Sequence, residues 1–135
     1  MVTARCECGG VAFEIAKMRE TVTLCHCGQC RRMSGHYLAL TRANVSDVAF
    51  TSDAGLTWYQ SSPEARRGFC STCGTTLFFQ PIGASHYGIA AGCIGTPTGL
   101  KIGKHIFIDD KGDYYPTPGD APLYDGYDTP HETGD

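Results

Sequence analysis

Seven of the eight cysteines stand in three short groups: Cys6-Glu7-Cys8-Gly9, Cys25-His26-Cys27-Gly28-Gln29-Cys30-Arg31, and Cys70-Ser71-Thr72-Cys73-Gly74. Thiols two or three residues apart can turn both sulfurs toward one tetrahedral zinc at about 2.3 Å, and a glycine after the second cysteine permits the positive φ of such a knuckle. Buried structural thiols or redox pairs are the bland alternative, and random core cysteines do not cluster in this way. Four sulfurs close a zinc site, whereas three leave a position for water or substrate. Seven ligands divide as four plus three, so the spacing predicts two zinc ions per chain. Cys6, Cys8, Cys70 and Cys73 would complete a closed structural site between distant segments, and Cys25, Cys27 and Cys30 would form an open one. A single-zinc arrangement, with the remaining thiols free, stays open at this point.

The elements that must hold these groups belong to a chain of 135 residues, the size of one compact domain. Its 17 glycines and seven prolines argue against a helical bundle, and no run of eighteen apolar residues offers a membrane span. Met1 to Glu20 has no uninterrupted apolar stretch, so a signal peptide is not expected. The cytoplasm is the expected location, where cysteines serve metal binding more often than disulfides. Short alternating runs read as strands: Val11 to Ile15, Val22 to Leu24, Tyr37 to Thr41, Leu56 to Tyr59, Thr75 to Phe79, His86 to Ala90 and His105 to Ile108. Only Pro63 to Gly68 is open to a helical turn. The expected fold class is mainly β, short antiparallel sheets fastened by metal, with residues 1–124 as one zinc-binding domain.

Charge is uneven along the chain. Residues 1–108 carry ten Lys/Arg against six Asp/Glu, while residues 109–135 carry eight acids against Lys111. Residues 125–135 are therefore read as an acidic, flexible tail, with Asp128 to Asp135 loose. A net charge of -3, with no basic stripe, excludes a phosphate-backbone binder.

Cys6-x-Cys8-Gly9, Cys25-His26-Cys27-x-x-Cys30-Arg31-x-x-Ser34-Gly35 and Arg67-Gly68-Phe69-Cys70-x-x-Cys73-Gly74, followed by His105-Ile106-Phe107 and Pro122-x-Tyr124, resemble the glutathione-dependent formaldehyde-activating enzyme family, which includes a centromere protein V branch. The resemblance covers roughly residues 3–124. It implies an Mss4-like, predominantly β fold, a structural zinc on four cysteines, and a zinc on three cysteines at the glutathione site. Two departures stand out: Gly92-Cys93-Ile94-Gly95 replaces the expected Gly-Ser/Thr-Leu-Asp stretch, and Tyr114 stands where the family has a tryptophan.

The activity implied is that of a carbon–sulfur lyase, with glutathione or a similar small thiol as co-substrate and formaldehyde as the small electrophile. The thiolate would complete the open zinc on Cys25, Cys27 and Cys30. Of the paired arginines, Arg31 and Arg67 are the candidates for a substrate carboxylate. His26 should point away from the metal that its neighbours bind and hydrogen-bond another group. His36, His86 and His105 are ordinary strand-edge histidines on this reading, and Trp58, Tyr59, Phe69, Phe78 and Phe79 pack the sheets. Cys93 is either a small buried hydrophobe or a reversible ligand or redox partner of the open zinc. Two rivals remain: a non-enzymatic zinc module that recognises a protein partner, and a methionine sulfoxide reductase-like enzyme. The second would need Cys93 exposed with a depressed pKa.

Overall fold

The structure, a computed structural model, describes residues 1–127; the expectation placed on Asp128 to Asp135 lies outside them. Among the described residues, ten strands and one short α-helix make a mainly β protein in which antiparallel pairing predominates. No helix among the described residues is long and apolar enough to cross a membrane. The chain forms two compact units, each discontinuous in sequence: Met1–Glu20 with Thr41–Gly99, and Thr21–Leu40 with the chain from Leu100.

In the first unit, β1 (Val2–Arg5), β2 (Val11–Ile15) and β5 (Val48–Asp53) form a three-stranded sheet in the order β1-β2-β5. Strand β2 shows why the local sequence folds this way: Val11, Phe13 and Ile15 are buried and Ala12 and Glu14 lie outward, the two-residue period of a half-buried strand. A second ribbon runs β9 (His86–Ala90), β8 (Thr76–Pro81), β7 (Ala65–Cys70), β6 (Leu56–Ser62). The core lies on Phe78, whose ring centroid is 5.0 Å from Phe13, 4.8 Å from Tyr87 and 5.8 Å from Trp58.

Strand β7 carries two arginines, which explains why its sequence does not read as a strand. Arg66 lies over the Trp58 ring at 3.8 Å and donates to Gln80 Oε1 through Nε and one terminal nitrogen. The pair of contacts gives a charged residue a partner on each neighbouring strand. The helical turn anticipated over Pro63 to Gly68 is instead a turn that leads into β7 at Ala65. Tyr59 is exposed and does not pack in the core.

In the second unit, β3 (Thr21–Cys25) is the middle strand. It pairs antiparallel with the first residues of β4 (Leu38–Asn44) and parallel with β10 (Lys101–Ile106). Between β3 and β4 lies α1 (Gly28–Ser34), a seven-residue helix that starts at the Cys27 cap and stops at Gly35 in the left-handed conformation. Beyond β10 the chain turns at Phe107, φ 54°, and returns alongside β10: His105 N donates to Pro122 O at 2.9 Å, and Tyr124 N to His105 O at 2.9 Å.

Candidate metal centre

The first unit brings Cys6, Cys8, Cys70 and Cys73 together, their sulfurs all within 4.8 Å of one another. Cys6 follows β1 and Cys70 ends β7, so the cluster joins two turns far apart in sequence. Each turn is closed by backbone bonds, Cys6 N to Val11 O at 2.9 Å in one and Cys70 N to Thr75 O at 3.0 Å in the other. Gly9 and Gly74 both take positive φ, 80° and 79°, a conformation that a side chain resists. Glu7 N donates to Thr75 Oγ1 at 3.0 Å and links the two turns.

Four sulfurs on 2.3 Å arms of a tetrahedron sit about 3.8 Å apart. Cys6 and Cys8 are 3.7 Å apart and Cys8 and Cys70 are 3.8 Å apart, so the donor set fits zinc. Backbone N–H groups already point at sulfur, Val11 N at Cys6 Sγ (3.3 Å) and Gly10 N at Cys8 Sγ (3.4 Å), and each bond favours the thiolate, although at Cys8 the neighbouring cysteine thiols outweigh it and push the group up to about 11. The Thr75 hydroxyl, 3.2 Å from Cys73 Sγ, brings the Cys73 thiol down to about 5.

The second unit brings Cys25, Cys27 and Cys30 within the same 4.8 Å limit. Cys25 ends β3, Cys27 caps α1 and Cys30 lies in its first turn. Cys30 N donates to Cys27 Sγ at 3.3 Å, and the neighbouring Cys25 and Cys30 thiols hold the Cys27 thiol below its ordinary value. Cys25 and Cys30 are buried against Leu38 and Ile106, with Leu40, Phe107 and Tyr124 packed around them, while Cys27 is half-buried. Among the described residues no fourth Cys, His, Asp or Glu joins the three. The set has the donors of a zinc site and leaves one position to an outside ligand.

Residues 1–110 match the glutathione-dependent formaldehyde-activating enzyme family. The chain belongs to that family. An uncharacterized lyase of Schizosaccharomyces pombe is 30% identical over 112 residues, which are 82% of this chain and 80% of that protein. The crystal structure of a Rhodobacter sphaeroides protein matches with a TM-score of 0.56 over 90% of this chain and 98% of that chain; at 24% identity this is a likeness of fold.

In this member of the formaldehyde-activating enzyme family the arginines fall apart by unit. Arg31 and Arg32 lie on α1, and a Cβ on Gly28 would meet Arg32 at 3.2 Å and Arg31 at 3.5 Å, so both guanidinium groups hang over the glycine between Cys27 and Cys30. Arg67 is buried in the first unit, its guanidinium 5.1 Å from the centre of the Phe79 ring. Cys93 also lies in the first unit, half-buried, its thiol donating to Thr76 O at 3.4 Å. Burial, with Cys6 and Cys73 nearby, pushes that thiol up to about 11, the opposite of what a reductase-type nucleophile needs.

His26 turns away from the three sulfurs, as its position between two ligand candidates requires. It is fully buried, with Nδ1 2.8 Å from Tyr115 Oη and Nε2 2.9 Å from His105 Nδ1. His105 is likewise fully buried, not a strand-edge group, and its Nε2 is 3.1 Å from Pro118 O. Burial lowers both imidazoles, His26 to about 4, and keeps the rings neutral. Sequence reasoning passed over Tyr115 as a partner of His26 and preferred Arg31 to Arg32, where the structure brings both to Gly28. A histidine forced inward must find a buried partner, but nothing in the sequence says that Tyr115 supplies it.

Proposed function

We propose that this chain is a carbon–sulfur lyase acting on adducts of glutathione or a similar small thiol, with formaldehyde as the electrophile. The observation that carries the reading is the open set of Cys25, Cys27 and Cys30, three sulfurs in reach of one another with no fourth protein donor among the described residues. Membership of the formaldehyde-activating family and the lyase name of the fission-yeast relative support the same class. Two zinc ions per chain are proposed, a structural one on Cys6, Cys8, Cys70 and Cys73 and an open one on Cys25, Cys27 and Cys30. When bound at the open set, zinc supplies a position that favours the thiolate over the thiol.

The chain's own contribution is binding and orientation. Arg31 and Arg32 bring two positive groups to within 3.5 Å of one point over Gly28, the residue that follows Cys27. A guanidinium pair there fits the carboxylate of a small thiol and leaves its sulfur to face the three cysteines. The new C–S bond forms between that sulfur and the aldehyde carbon. The π pair passes to the oxygen, and the proton lost by the thiol ends there as S-hydroxymethylglutathione; the reverse step releases the aldehyde. Arg67 is proposed as a further carboxylate contact on sequence grounds.

Calorimetric titration in two buffers of different ionisation enthalpy tests this. Glutathione is expected to release a proton near neutral pH, seen as a buffer-dependent heat, and S-methylglutathione to bind far more weakly. Arg31→Ala should weaken glutathione by about 1.5–3 kcal/mol, roughly ten- to a hundredfold, and leave 2-mercaptoethanol, which has no carboxylate, nearly unchanged. The same comparison on Arg67→Ala decides its role. Equal binding of glutathione and its S-methyl form, or of neither, would refute the thiol reading and favour a partner-binding module.

A further inference from the structure

The directions of the hydrogen bonds behind the three cysteines are fixed by the group at the end of the row. Pro118 O can only accept, so His105 Nε2 carries the proton and, in a neutral ring, His105 Nδ1 is an acceptor. His26 Nε2 then donates to His105 Nδ1, leaving His26 Nδ1 to accept from the Tyr115 hydroxyl. Tyr115 Oη faces the Gly112 N–H at 3.4 Å, consistent with an oxygen that gives its own proton to His26. The two imidazoles are fully buried and Tyr115 nearly so. Apolar side chains would fill the same space, but only a row of paired donors and acceptors fixes the rotation of each ring.

We propose that Tyr115, His26 and His105 are positioning residues that set the ligand geometry of Cys25 and Cys27 through the buried row Tyr115–His26–His105–Pro118. The link is the backbone. Cys25 ends β3 and Cys27 is extended at φ -63° and ψ 160°, and His26 N donates to Ile106 O at 3.0 Å. Along such a segment successive side chains point to opposite sides. Drawing the His26 ring inward therefore turns both neighbouring sulfurs to the other side, toward Cys30. His105 is held beside this point because it pairs with Leu24 in the β3–β10 register, one residue before Cys25. Tyr115 is held by Lys111 Nζ, which donates to Tyr115 O and to Gly112 O and lies 4.6 Å from the Tyr115 ring centre. The three cysteines are thus presented as a ready-made clip, and the segment that follows β10 is part of its support. The inference rests on the reading of Cys25, Cys27 and Cys30 as a metal site and not on the identity of the thiol.

The test uses the full chain, Co²⁺ as the probe, and Cys27→Ser to supply the spectrum of the four-cysteine site alone. Tyr115→Phe keeps the ring and removes only the oxygen. It is expected to weaken Co²⁺ at the three-cysteine site by about tenfold or more and to shift its sulfur-to-cobalt absorption, with the four-cysteine site unchanged. His26→Gln retains one acceptor and one donor and should stay closer to the parent protein than His26→Leu, which retains neither. Unchanged affinity and absorption in Tyr115→Phe would overturn the proposal. So would equal weakening at both sites, which is the mark of a general loss of stability, or failure of the parent protein to bind Co²⁺ at the clip. Loss of glutathione binding with the cobalt result intact would refute the thiol reading and leave this one standing.

Discussion

Cys70→Ser is expected to unfold the first unit and to abolish the cooperative thermal transition of the protein. Cys70 is fully buried, and its sulfur is 3.8 Å from that of Cys8, 62 residues away in sequence. Its removal opens the four-sulfur set that joins the turn after β1 to the turn after β7. Structural zinc sites contribute on the order of 10–16 kcal/mol of folding free energy at neutral pH, as much as or more than the roughly 5–15 kcal/mol that separates a domain from its unfolded chain. Circular dichroism on heating, with zinc analysis of the same sample, measures this. A Cys70→Ser protein that still melts cooperatively near the parent temperature would show that the four cysteines are not a structural metal site.

Cys27→Ser is the contrasting case and is expected to give a folded protein that has lost one of two zinc ions and all glutathione binding. Cys27 is half-buried and caps α1 through a bond from Cys30 N to its sulfur. A serine oxygen makes the same kind of cap, so the helix start is kept at a cost of about 1 kcal/mol or less. What serine does not replace is one of only three sulfur donors. Metal analysis after anaerobic purification should read two zinc ions in the parent and one in the variant. Unfolding as severe as that of Cys70→Ser would contradict the division into a closed and an open set.

The division itself was legible because cysteine pairs two or three residues apart are local features; only the partnership of Cys6/Cys8 with Cys70/Cys73 required a long-range guess, and the structure brings those four together. The mainly β class was legible wherever one face of a strand is buried, as in β2 and in β9, where Tyr87, Ile89 and Ala90 are buried. Three strands escaped. Strand β7, Ala-Arg-Arg-Gly-Phe-Cys, opposes strand propensity and is held by the packing of Arg66 on Trp58 and of Arg67 on Phe79. Strands β1 and β5 border β2 on either side, and neither has its full period-two signal: β1 buries Ala4 alone, and no residue of β5 is buried. Helix α1 is too short for a periodic pattern, and it begins where it does because Cys27 caps it. The buried row behind the clip was legible at one end only. The inward turn of His26 follows from its neighbours, but His105 and Tyr115 lie 79 and 89 residues further on, and nothing local marks them as its partners.

The central claim is that Cys25, Cys27 and Cys30 hold a metal that takes the sulfur of a small thiol. It is tested most directly by titrating glutathione into the cobalt-substituted protein and following the sulfur-to-cobalt absorption. A fourth sulfur is expected to raise and shift the absorption of the three-cysteine site to saturation, with the four-cysteine contribution constant and no response in Cys27→Ser. A spectrum indifferent to glutathione at concentrations that saturate its calorimetric binding would place the thiol away from the metal and contradict the account.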